Sequence, residues 1–212
     1  MSIKQQRSAV SKAILKFQLF FRRFPAMRYI TKWIVICAVI GICIGSASAG
    51  FLQSLDWATN FRTTHVWLIT LLPIGGLCIG LLYHYSGKDI AAGNNLLIDT
   101  IHQPKQTIPF RMAPFVYIGT IVTHLLGGSA GREGTALQMA GAIADQFSKP
   151  FRLSESDRKT LITAAIAAGF GSVFGTPLAG AVFSLEVVLT GQLRYNAIFP
   201  AFIAAIIAHR VT

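Results

Sequence analysis

The chain has 212 residues, 53% of them hydrophobic and only 13% charged, with a mean hydropathy of +0.55. A soluble domain of this length carries about 25% charged residues, so the composition excludes an ordinary soluble domain and points to an integral membrane protein. The net charge of +11 would suit nucleic acid. However, Lys4, Arg7, Lys12, Lys16, Arg22, Arg23, Arg28 and Lys32 all precede the first apolar span, a pattern for anionic lipid headgroups and no nucleic acid.

Residues 1–32 intersperse Ile14, Leu15, Phe17, Leu19, Phe20 and Phe21 with Lys and Arg. This predicts a basic interfacial helix on the cytoplasmic face, with a disordered basic tail as the alternative. The short basic region, apolar core and small-residue cleavage site of a signal peptide are missing, and the positive-inside rule gives the expectation of a cytoplasmic N-terminus. Residues 33–212 then read as one multi-pass transmembrane domain in the cell (inner) membrane. Trp33 to about Leu55 is a first span, with Gly41 and Gly45 spaced for close helix approach. Gln53 to His65 reads as a polar external loop. Val66 to Tyr85 returns, kinked at Pro73, with Gly76 and Gly80 as a second close-packing face. Cys37, Cys43 and Cys78 sit in apolar runs without metal spacing, so packing is their expected role.

The next segments fall short of the roughly 20 apolar residues of a full span. Ile90 to Ile101 holds Gly93-Asn94-Asn95, and Pro109 to Leu126 is interrupted by Pro114 and Gly119. Glycine-interrupted short segments in a membrane protein predict broken, re-entrant helices lining a midplane binding site. A helix from about Thr135 to Phe147 follows, then a basic turn, Ser148 to Arg152. Ser154 to Asp157 is a capping-box-like start for a helix to Ala168. Gly169 to Gly175 reads as a glycine-rich break. Thr176 and Pro177 open a helix to about Leu189. Gly191 to Asn196 is a turn, and Ala197 to Ala208 a last apolar helix. No repeat of 20–50 residues is visible. His84, His102 and His209 fall near helix ends, where an interfacial position is expected, and nothing has metal-ligand or cofactor-binding spacing.

Gly127 to Thr135 carries the chemistry. Arg132 and Glu133 lie between Gly131 and Gly134, flanked by apolar runs, and ionisable groups at membrane depth are functional candidates by default. A glycine-rich break before a helix start aims backbone N–H groups and the positive helix end at an anion. The bland alternative is a structural Arg132–Glu133 ion pair. Neighbours on a helix do not face one another, however, so one is expected to enter a pathway while the other packs behind. Gly127-Gly128-Ser129-Ala130-Gly131 formally matches a hydrolase nucleophile elbow, with His124 nearby. That elbow needs a preceding strand, and His124 lacks an orienting carboxylate, so no enzyme is expected. A phosphate loop fails for want of its lysine. Glu186 reads either as a proton relay or as a partnered structural carboxylate.

Arg111-Met-Ala-Pro114, Gly131-Arg132-Glu133-Gly134-Thr135, and Gly175-Thr-Pro-Leu-Ala-Gly180 with Phe183 and Glu186 together resemble the first half of a CLC chloride channel or transporter. The resemblance implies an all-α fold and the first of two inverted repeats. It also implies transport of chloride or fluoride coupled to protons, and a homodimer for a full-length version. By this resemblance Glu133 is the gating glutamate, whose carboxylate occupies an anion position and carries a proton. Three departures are similar to the fluoride/proton antiporter branch. Gly93-Asn94-Asn95 stands for the usual Gly-Ser-Gly, Thr135 replaces a proline, and Val187 occupies the place of the internal proton glutamate, next to Glu186. An asparagine amide offers two N–H donors to an anion where a serine offers one O–H. The expected anion site is thus Gly93, Asn94, Asn95, Gly131, Arg132, Glu133, Gly134 and Thr135. Chloride channel or exchange activity on the same scaffold is the nearest alternative. Because the matching region ends after about one repeat, a truncated, non-transporting membrane subunit is the alternative from another class.

Overall fold

The computed structural model describes residues 25–103, 107–187 and 195–212, so the expectations for residues 1–24 and for the turn at 191–194 lie outside the described residues. Among the described residues there are eight α-helices, one 3-10 segment and no strand. By contacts they form two compact units, one ending at Ile36 and the other Cys37–Thr212. Of the described residues, unit one holds the start of α1, the helix Pro25–Thr64.

Helix α1 overruns its expected end. Gln53 to Thr64 is helical, leaving His65 as the hinge before the 3-10 segment Val66–Leu71. The stretch contains neither glycine nor proline, and Phe51, Leu55 and Ala58 are all at most 1% exposed. That spacing keeps one helical stripe in the core, so the polar residues merely occupy the outer face. Pro73 does not kink a span either. It sits in the first turn of α2, Leu72–Ser86, where its missing N–H has no acceptor to lose. Gly41 and Gly45 do serve close approach: a Cβ on Gly45 would lie 2.5 Å from the Ala208 carbonyl oxygen. Gly76 and Gly80, by contrast, have nothing within 4 Å, so this second small-residue face has no packing partner among the described residues. The segments Met27–Thr64 and Val66–Ser86 are long and apolar enough to cross a membrane.

Then come the short helices α3 (Asn94–His102, 9 residues) and α4 (Met112–Leu125, 14 residues). Helix α4 is unbroken. Pro114 falls within its first turn, where no intrahelical bond is forfeited, and Gly119 stays helical. Helix α5 runs Arg132–Asp145, starting three residues earlier than its sequence suggests.

Helix α6, Glu155–Phe174, begins as expected, with Ser154 Oγ accepting from the Asp157 N–H at 3.2 Å. The expected break at Gly169 is absent, and the helix ends only at Gly175, whose φ of +68° suits glycine. Gly169 is instead a contact point. A Cβ there would lie 2.6 Å from both the Ala136 carbonyl oxygen and Ala140 Cβ, so its bare backbone lets α5 approach. Helix α7 (Pro177–Val187) follows, and α8 (Tyr195–Val211) starts before the expected Ala197. Helix α6 is central: it packs against α8, α7 and α5. Much of that packing is alanine, with Ala164, Ala165, Ala167, Ala168, Ala201, Ala204, Ala205 and Ala208 all at 0% exposure. Within α8, which carries Pro200, the Pro200 carbonyl accepts from Cys37 Sγ at 3.4 Å.

Candidate functional site

Two helix N-termini meet at one cavity, and in both the cap is a glycine. Gly93, at φ +58° and ψ −127°, turns the chain into α3, a conformation open to glycine and costly to other residues. Gly131, extended at φ −73° and ψ 125°, precedes α5. The first N–H groups of a helix have no intrahelical acceptor. At α6 the Ser154 side chain satisfies one of them, whereas neither glycine cap can. In α3 the Asn95 and Leu96 N–H groups bond back to Ala92 and Gly93 carbonyls, both at 3.1 Å, leaving Asn94 at the mouth. In α5 the positive end of the helix is open at Arg132, Glu133 and Gly134.

Between these ends lies a cavity of about 230 Å³. Its polar end is Asn94, Glu133 and Gly134. Its apolar wall comprises Leu97, Ile98, Leu137, Ile166, Phe183 and Val187. Phe183 is braced by Phe170, their rings 4.4 Å apart and 25° from parallel. The Asn94 carboxamide has a defined orientation, because its Oδ1 accepts from Gln138 Nε2 at 3.1 Å. A carboxylate, an amide and helix-end N–H groups around a small cavity can hold a desolvated anion or be closed by the carboxylate itself.

A second cavity, of about 360 Å³, lies across Gly134, which lines both. Gly131, Thr135, Thr120, Thr123 and Gln138 line it with Tyr83. Thr135 Oγ1 donates to the Gly131 carbonyl at 3.1 Å, so Thr120 supplies the proton in the 2.6 Å contact between the two hydroxyls. Thr135 thereby ties the start of α5 to α4, and a proline there could make neither bond.

The sequence-derived residues therefore divide. Asn94, Glu133 and Gly134 come together, while Gly131 and Thr135 face the second cavity. Gly93, Asn95 and Arg132 line neither. Arg132 and Glu133 are both exposed and form no ion pair, and Arg132 does not pack behind its neighbour. Glu186 is exposed, lines neither cavity and has no partner among the described residues, whereas Val187 beside it faces the same cavity as Glu133. His124 is committed to the Thr120 carbonyl at 2.9 Å. The residue that sequence reasoning missed is Gln138. The available signal was its spacing, four residues beyond Gly134 and thus on the same face of α5.

The chain is 56% identical over 194 residues to the chloride/fluoride channel protein of Pseudomonas syringae pv. tomato, covering 90% of this chain and 43% of that protein. It is 26% identical over 197 residues to the H(+)/Cl(-) exchange transporter ClcA of Salmonella arizonae, covering 84% of this chain and 41% of that one. A crystal structure of a CLC-type fluoride/proton antiporter matches at a TM-score of 0.81 and 38% identity, over 85% of this chain and 46% of that one. The chain thus spans less than half the length of these relatives, all channels or transporters by description. Residues 75–212 match the sequence profile of the voltage gated chloride channel family, and the chain belongs to that family.

Proposed function

We propose that this chain contributes the first-repeat part of an anion pathway that exports fluoride in exchange for protons. One observation carries the reading: Asn94 and Glu133 line a single small cavity at two helix N-termini that lack side-chain caps. Fluoride is small and strongly hydrated, so replacing its water needs closely set donors. The Asn94 amide and the first-turn N–H groups of α5 supply them. Glu133 is the gate. As a carboxylate it competes for the anion position; protonated, it yields that position and carries a proton.

The basic stretch 1–32 lies on the cytoplasmic side of the inner membrane, following the positive-inside rule. The exposed apolar surface of α2, including Leu77 and Leu81, faces lipid or the remainder of a full-length protein. The full-length form acts as a homodimer. Fluoride-electrode efflux from proteoliposomes tests the reading, using both this chain and a chimera in which it replaces the matching stretch of the Pseudomonas relative. Fluoride efflux faster than chloride efflux, with opposite proton movement, is expected. Faster chloride would establish chloride transport instead. No anion flux from either preparation, with a partner co-purifying, would establish a non-transporting subunit.

A further inference from the structure

We propose that Gln138 is a positioning residue for the anion site, fixing which end of the Asn94 carboxamide faces the cavity. The terminal torsion of asparagine is soft and roughly two-fold, so packing alone does not choose between its oxygen and its nitrogen. The choice matters because the NH2 group attracts an anion and the carbonyl oxygen repels it. Gln138 Nε2 donates to Asn94 Oδ1 at 3.1 Å, which occupies the oxygen and leaves Nδ2 with its two N–H groups. Asn94 Nδ2 lies beside Gly134: a Cβ there would be 3.3 Å from it and 3.7 Å from Gln138 Nε2. A Cβ on Gly93 would be 3.4 Å from Gln138 Nε2. The carboxamide pair is therefore seated between Gly93 and Gly134. Selectivity then belongs to the pair, with Asn94 meeting the ion and Gln138 acting only through Asn94.

This inference rests on the fluoride reading above, and the test separates the two. Fluoride and chloride efflux would be measured in the same liposomes for wild type, Gln138→Met, Asn94→Ser and the double variant, with Gln138→Leu as the replacement should Gln138→Met fail to fold. Gln138→Met nearly keeps the side-chain shape and removes the donor. The expected result is a loss of fluoride-over-chloride selectivity on the order of tenfold, as for one lost hydrogen bond. In the Asn94→Ser background the same change should cost less than about twofold, since coupled residues are not additive. An equal loss in both backgrounds would mean that Gln138 acts by packing, which overturns the proposal. Unchanged selectivity in the single variant also overturns it while leaving the transport reading intact. Absence of fluoride efflux from both the chain and the chimera overturns both.

Discussion

Asp145 closes α5 at the end opposite the Asn94–Glu133 cavity, and its replacement by asparagine should loosen the helix that carries Glu133. The side chain is 0% exposed and accepts three hydrogen bonds. Arg158 Nε reaches Oδ1 at 2.6 Å, Arg158 Nη2 reaches Oδ2 at 2.7 Å, and the Ile108 N–H reaches Oδ2 at 2.7 Å. Asparagine keeps the shape, removes the charge, and turns one acceptor into an NH2 group facing donors. Arg158, itself only 9% exposed, then lacks its carboxylate in a dry setting. Breaking one side of such a buried pair costs about 3–5 kcal/mol. The Ile108 bond is part of that figure, not an addition to it. At about 2–4 °C per kcal/mol for a chain of this size, the midpoint should fall by roughly 6–20 °C. Thermal melts in detergent, followed by near-ultraviolet circular dichroism, would read it. Asp145→Leu combined with Arg158→Met should recover most of the loss, because an apolar pair avoids the desolvation cost. A single Asp145→Asn variant within about 1 kcal/mol of wild type would refute the reasoning, since that is what a solvated pair is worth.

Asn94→Ser replaces two amide donors by one hydroxyl, and hydrogen bonds to a charged partner are worth about 1.5–3 kcal/mol. Fluoride-over-chloride selectivity by electrode should fall by roughly 10–100-fold; full retention would remove the amide from the argument. Glu133→Gln should abolish proton movement, read with a pH-sensitive dye inside the same liposomes. Unchanged coupling would exclude Glu133 as the proton carrier. Gly180→Val places a branched side chain where even a Cβ would lie 2.6 Å from the Gly171 nitrogen and 2.8 Å from the Ala167 carbonyl oxygen. Overpacking of this kind costs about 1–3 kcal/mol, so the melt should move down by several degrees.

The all-helical class and the short helices were legible because they rest on local signals, apolar run length and capping residues, whereas the pairing of Asn94 with Glu133 came from the family resemblance. The helix ends were less legible, for one recurring reason. Glycine and proline were read as breaks, yet Gly119, Gly169 and Gly171 stay helical and Pro73 and Pro114 open helices. A glycine used for close approach looks the same in sequence as a glycine used for a turn. What separates Gly169 from Gly175 is the neighbouring backbone of α5, a contact 33 residues distant in the chain at Ala136. The same limit hid Gln138, whose meaning depends on Asn94, 44 residues away.

The alanine seam between α6 and α8 has a mechanical consequence. Alanine has no side-chain torsion to adjust, so its ordering costs almost no rotamer entropy and its contacts cannot re-form by rotation. A methyl added anywhere along the seam would be transmitted as displacement of a whole helix. Helix α7, packed on both, would be carried along, and with it Phe183 and Val187 at the wall of the Asn94–Glu133 cavity. Substitutions far from Asn94 and Glu133 should therefore alter the cavity's dimensions in steps set by helix position, making this seam the natural place to tune its width without touching any donor.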